Sequence, residues 1–188
     1  MKLMPTPSQT VGPFFHVAYP LTGITKLIGR DDPDSLVVSG TVFDGEGQPT
    51  RDALVEFWQA NRAGRYGHPE DDRDDVPLEA GFEGFGRCAT DERGRYELLT
   101  VKPGRVPWPG GGMQAPHIAV AVFARGLLKH LVTRIYFPDE PGANESDPVL
   151  SSIEDPRARG SLVAQPADGG VRFDIHLQGE NETTFFDI

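Results

Sequence analysis

Residues Gly84 to Arg125, GFGRCATDERGRYELLTVKPGRVPWPGGGMQAPHIAVAVFAR, decide the fold. Two strand-like runs are joined by a loop rich in proline and glycine. Side chains on a strand alternate between faces, so His117, Ala119, Ala121, Phe123 and Arg125 are expected on one side and Ile118, Val120 and Val122 on the other. A histidine at position 119 would make His117 half of a two-histidine metal clamp. Alanine stands there instead.

Outward from this stretch the pattern stays strand and turn. Downstream, LLKHLVTRIYF (127–137) reads as one further strand, and PDEPGANESDP breaks it. VLSSIEDPRARGSLV (149–163) has room for a short helix or two. VRFDIHLQG (171–179) alternates, with Val171, Phe173, Ile175 and Leu177 on one face and Arg172, Asp174, His176 and Gln178 on the other, as in a half-buried strand. Upstream, LVVSGTVF (36–43) and DALVEFWQA (52–60) flank DGEGQP. An Asp-Gly pair between such runs predicts a hairpin. Both faces of the second run, Val55 and Phe57 against Leu54, Glu56 and Trp58, are apolar enough to be covered in part.

Residues 1–30 carry Pro5, Pro7, Gly12, Pro13, Pro20 and Gly23, so no helix of ordinary length fits there and the segment reads as an extended arm. Phe14, Phe15, Val17 and Tyr19 are too apolar to leave in water, so the arm is expected to pack on its own domain or on a partner chain. The acidic run at 70–75, EDDRDD, reads as a solvated loop. The 22 glycines and 17 prolines favour short strands over a bundle, and 188 residues suffice for one domain. The expected architecture is mainly β: a single β-sandwich over 1–188 with an extended N-terminal arm and long loops.

A net charge of -10 argues against a nucleic-acid partner, which requires a cationic surface. The lone Cys88 cannot form an intrachain disulfide, no apolar run approaches the roughly 20 residues of a membrane helix, and no signal-peptide pattern opens the chain. The expected location is the cytoplasm. No G-x-S-x-G elbow is present, and no motif marks Cys88 as an activated thiol. Among the five histidines, His176 falls on the polar face of its strand, His68 in the acidic loop and His16 in the arm. His130 lacks a ligand partner at i+2, and His117 alone opens a strongly apolar strand. These features by themselves identify a β-sandwich without a self-evident catalytic site.

Longer motifs say more. The succession FGRCATDERGRYELLTVKPGRVPW, APHIAV, FARGLLKHLVTRIYF and RFDIHLQGENETTFFDI, preceded by TPSQTVGPFFH near the N-terminus, resembles the intradiol ring-cleaving dioxygenases over nearly the whole chain. In that family a ferric ion is held by two tyrosines and two histidines. The resemblance carries the first tyrosine onto Tyr66 in GRYGH and the second onto Val106 in PGRVPW. The histidine pair falls on His117 and Ala119. Two of the four ligands are therefore missing, since valine and alanine offer no donor atom.

The resemblance thus implies an α subunit with no catalytic or metal-binding residue of its own, paired with a β subunit that binds Fe(III). Its implied reaction cleaves a dihydroxybenzoate with O2 between the two hydroxylated carbons. It further implies that Thr10, Gly12, Pro13 and Arg125 of this chain contribute to substrate binding at the boundary between the chains. Glycine would let the backbone approach a flat ring, proline would set the chain direction, and arginine would meet an anionic substrate. Phe14 replaces a tyrosine common in relatives. Two other readings stand beside this one: a self-sufficient oxygenase with an altered iron site using Tyr66, His117 and one or two further ligands that no motif identifies, and a non-catalytic sandwich that serves as a binding module.

Overall fold

The computed structural model describes residues 10–12 and 23–187, so Pro13, Phe14, Phe15, His16, Val17 and Tyr19 lie outside the described residues. Two sheets carry the fold. In the first, β1 (Ser35–Phe43) pairs antiparallel with β4 (Arg95–Val101) from Ser35↔Val101 to Thr41↔Arg95. Along its other edge β1 takes β10 (Gly170–Arg172) and then β11 (Ile175–His176), both parallel, and β9 (Gln165–Ala167) extends the sheet beside β10. The second sheet is antiparallel in the order β3 (Phe85–Ala89), β2 (Leu54–Trp58), β7 (His117–Phe123), β8 (Leu131–Tyr136).

The inner faces supply one apolar core. Val38, Val42, Tyr96, Leu98, Phe173 and Ile175 come from the first sheet's side, and Val55, Phe57, Cys88, Ile118, Val120, Val122 and Ile135 from the second. Period-2 alternation makes this possible, because every second residue of β2 and β7 faces inward. The sheet is tightest at Gly40. A Cβ there would stand 1.8 Å from the Phe173 carbonyl oxygen, which also accepts a 2.5 Å hydrogen bond from the buried Tyr96 hydroxyl.

Several local expectations are corrected. The run at 44–49 does turn, with Asp44 N donating to Gln48 O, but β1 and β2 belong to different sheets and form no hairpin. Pro49 has no N–H to extend a ladder, and the following residues cross to the other sheet, where Thr90 receives them. The loop between β4 and β7 is not featureless, since β5 (Val106–Pro107) and β6 (Met113–Gln114) pair across a turn at 108–112. β8 begins only at Leu131, because 125–129 is turn and bend. The alternating run at 171–179 is two strands: between them Asp174 Oδ1 accepts from Thr41 N, so a side chain replaces the ladder. Three short helices, α1 (Pro141–Glu145), α2 (Pro148–Ser152) and α3 (Pro156–Gly160), follow β8, and each opens with proline.

The acidic loop is also tied down rather than simply solvated. Asp71 accepts from Tyr66 N at 2.8 Å and pairs with Arg73, whose guanidinium holds the Asp71 carboxyl down at about 2. Among the described residues no helix is long and apolar enough to cross a membrane.

Candidate functional site

Strand β7 has a different chemical neighbourhood at each end. At its start, His117 is 5 % exposed, and its Nδ1 lies 2.8 Å from Ala115 O. A carbonyl only accepts, so Nδ1 carries the proton. Burial first, and the Arg134 cation second, push the His117 pKa down to about 4, so the ring is neutral.

The four positions named by the family resemblance gather around this end. Tyr66 stacks on Trp58 at 5.7 Å, and Trp58 is the cross-strand neighbour of Ala119. On its other side Ala119 faces Arg134. Arg134 donates to Gln114 Oε1 at 2.8 Å and to the Tyr136 hydroxyl at 3.2 Å, and Gln114 pairs with Val106. Tyr136 in turn lies opposite His117, with the rings 5.6 Å apart. Burial raises the Tyr66 pKa, and Arg134 opposes the shift only in part.

This donor set does not fit a ferric ion. Val106 and Ala119 offer no ligand atom, Tyr66 resists ionisation, and the charge facing the cluster is a guanidinium that would repel a metal cation. Among the described residues no group of three or more His, Cys, Asp or Glu side chains is placed to hold a metal.

Asp147 anchors the same end of β7. Fully buried, it accepts from Ala115 N at 2.7 Å, from Val149 N and Leu150 N at 2.9 Å as the cap of α2, and from the Tyr136 hydroxyl at 3.1 Å. The Asp-Pro pair at 147–148 signals a helix start in the sequence. Its reach to Ala115 and Tyr136 depends on tertiary placement and leaves no local signal.

The opposite end of β7 holds the residues expected to bind substrate. Arg125 lies in the turn beyond Phe123, its side chain 54 % exposed, and forms an ion pair through Nε with Oδ2 of Asp52. The next residue, Gly126, donates its N–H to Thr10 Oγ1 at 2.9 Å. The structure therefore brings Thr10 of the arm to the Arg125 turn. Gly12 follows two residues on, and a Cβ placed there would meet nothing within 4 Å. Pro13 lies outside the described residues. Leu128, 65 % exposed, continues the turn as an apolar surface. Alternation alone groups Arg125 with His117, but eight residues at about 3.3 Å each put them on the order of 25 Å apart along the strand. They do not share a site. Asp52 is a partner that the sequence does not announce, since an isolated acid in a turn has no motif.

Three other candidate side chains are engaged in contacts of their own. Cys88 is buried, its thiol donates to Glu97 O, and burial pushes it up to about 12, so it is inert. His130 stacks on Phe123, and His176 on Phe43.

Comparison with known proteins agrees with this architecture. A family model described as Dioxygenase matches residues 12–179. The protocatechuate 3,4-dioxygenase alpha chain of Pseudomonas putida is 42 % identical over 205 residues, covering 100 % of this chain and 99 % of that one. The protocatechuate 3,4-dioxygenase beta chain of Burkholderia cepacia is 38 % identical over 186 residues, covering 94 % and 77 % respectively. Among solved structures, the dioxygenase domain of a carbohydrate-binding fusion protein from Streptomyces sp. SirexAA-E is 31 % identical with a TM-score of 0.59, covering 94 % of this chain and 99 % of that domain. Catechol 1,2-dioxygenase from Acinetobacter sp. ADP1 superposes with a TM-score of 0.61 at 25 % identity, over 87 % of this chain and 60 % of that enzyme.

Proposed function

Because this chain belongs to the intradiol ring-cleaving dioxygenase family and is a full-length homologue of protocatechuate 3,4-dioxygenase alpha chains, we propose that it is the α subunit of such an enzyme, working with an iron-binding β subunit. The observation that carries this reading is the cluster at the start of β7. The four family ligand positions still converge there, yet two are Val106 and Ala119 and a guanidinium faces them. A family that uses Fe(III) and a ligand set reduced here to Tyr66 and His117 support the presence of a second, iron-holding chain.

The ferric ion of that β subunit would supply the redox chemistry by which O2 opens protocatechuate to 3-carboxy-cis,cis-muconate. This chain's part is binding and orientation. Protocatechuate carries a carboxylate, and the exposed Arg125 guanidinium offers it charge-assisted hydrogen bonds. The arm meets the Arg125 turn through Thr10, and Gly12, with no Cβ, leaves backbone open to a flat substrate there; the role of Pro13 rests on the family motif alone. Such a surface excludes water and holds the ring in one orientation, which is the form of catalysis open to a subunit without a reacting group. Packing of the N-terminal arm on the β subunit is part of the same reading, motivated by the apolar residues of that segment. A cytoplasmic location is part of the same reading.

Reconstitution tests the reading. This chain alone and a β subunit alone should each cleave protocatechuate poorly, and the two co-expressed should cleave it with O2 uptake. Full turnover by this chain alone would overturn the assignment. No observation favours the non-catalytic binding module.

A further inference from the structure

We propose that Asp52 is a positioning residue that aims Arg125 at the substrate carboxylate, an inference that rests on the α-subunit reading. Asp52 lies in the crossing segment between the two sheets, and that segment is held rigidly. Thr90 Oγ1 accepts from Ala53 N at 3.0 Å and donates to Thr50 O at 2.7 Å, while Thr90 N donates to Ala53 O at 3.0 Å. The carboxylate is therefore presented from a fixed backbone. Its side chain is 17 % exposed, and Oδ2 is buried without a hydrogen-bond partner, leaving the Arg125 ion pair to compensate its charge.

Arg125 needs such a constraint because it is long, 54 % exposed and placed on a turn. A free guanidinium there would sample many rotamers, and fixing it on substrate binding would cost side-chain entropy. Asp52 engages Nε, and both terminal nitrogens remain available to a second carboxylate in the two-pronged geometry that guanidinium favours. The Thr10 to Gly126 hydrogen bond fixes the backbone immediately after Arg125. Turn and head group are thus held independently, the first by the arm and the second by Asp52. A purely structural ion pair would change stability alone when broken. A positioning pair also changes KM.

The test uses the assembled αβ complex with protocatechuate and O2, comparing wild type, Asp52→Asn, Arg125→Ala and the double variant. Asp52→Asn keeps the side-chain shape, and KM should rise about 3- to 10-fold with kcat within about twofold, the pattern of lost binding rather than lost chemistry. In the double variant kcat/KM should equal that of Arg125→Ala, because Asp52 acts only through Arg125. Asp52→Glu, which keeps the charge but moves it by one methylene, should raise KM less than Asp52→Asn and carries the test if the amide variant fails to assemble. An impaired Arg125→Ala beside a wild-type KM in Asp52→Asn and Asp52→Glu overturns the role of Asp52 and leaves that of Arg125 intact. Additive losses in the double variant overturn it as well. A wild-type Arg125→Ala overturns the underlying reading of the site.

Discussion

Replacing Asp147 by alanine should destabilise the protein severely while leaving the chemistry of the assembled enzyme alone. The carboxylate is fully buried and accepts from four donors: three backbone N–H groups, of Ala115, Val149 and Leu150, and the Tyr136 hydroxyl. Loss of the cap of α2 costs about 1 kcal/mol. Ala115 N–H, on a fully buried residue, is left unpaired, and the fully buried Tyr136 hydroxyl loses its acceptor while still accepting from Arg134; each lost partner costs about 1–3 kcal/mol. Relief of the cost of burying a carboxylate offsets part of this. A net loss of about 3–5 kcal/mol remains, which for a chain of this size lowers Tm by roughly 10 °C. Asp147→Asn retains one acceptor but turns an NH2 toward Ala115 N–H or the α2 cap, so it should fall between. Thermal unfolding of the αβ complex reads both, with kcat/KM measured well below the transition. Asp147 sits at the His117 end of β7, remote from Arg125, so kcat/KM should stay within about twofold of wild type. A Tm within 3 °C of wild type for Asp147→Ala, on the same scale of roughly 2–4 °C per kcal/mol, would refute the network.

Arg125→Ala should lower kcat/KM about 10- to 100-fold, corresponding to about 1.5–3 kcal/mol for a charged hydrogen bond, with iron content unchanged. It should also lower Tm modestly, because Oδ2 of Asp52 is left buried and unpaired. Steady-state kinetics and metal analysis of the complex check both. His117 has its folded pKa pushed below the usual 6.5, so it contributes stability that is present above about pH 6.5 and lost as pH falls toward about 4. Denaturant titrations should therefore show a loss in wild type across that window that His117→Gln lacks. Asp71, held at about 2, acts only below the ordinary carboxylate value near 3.8, so the two windows separate.

The strand faces were legible because alternation is a local property. Ile118, Val120 and Val122 enter the core as the pattern predicts, and Val171, Phe173 and Ile175 do so even though their run is split into two strands. Which sheet each strand joins was not legible. The turn at 44–49 carries every hairpin residue, and only the crossing to Thr90 reveals that β1 and β2 part company. The relic cluster was visible as Val106 and Ala119 once the family motifs were matched. Arg134 was not, because its place opposite Ala119 depends on the β7–β8 register. Likewise Thr10 and Arg125 were named from the motifs, but the contact between Thr10 and Gly126 spans 116 residues of sequence. Asp52 reaches Arg125 just beyond the Leu54↔Phe123 end of the β2–β7 pairing, which only the fold brings about. Long-range pairings of this kind follow from topology, which neither composition nor periodicity encodes.

The central claim, that this chain shapes a site whose iron another chain holds, is tested most directly by metal analysis with visible spectroscopy. The purified chain is measured alone and then co-expressed with a β subunit. Alone it should contain no stoichiometric iron and no tyrosinate-to-iron absorption, and the complex should show both. Stoichiometric ferric iron with a tyrosinate band in the isolated chain would contradict the account.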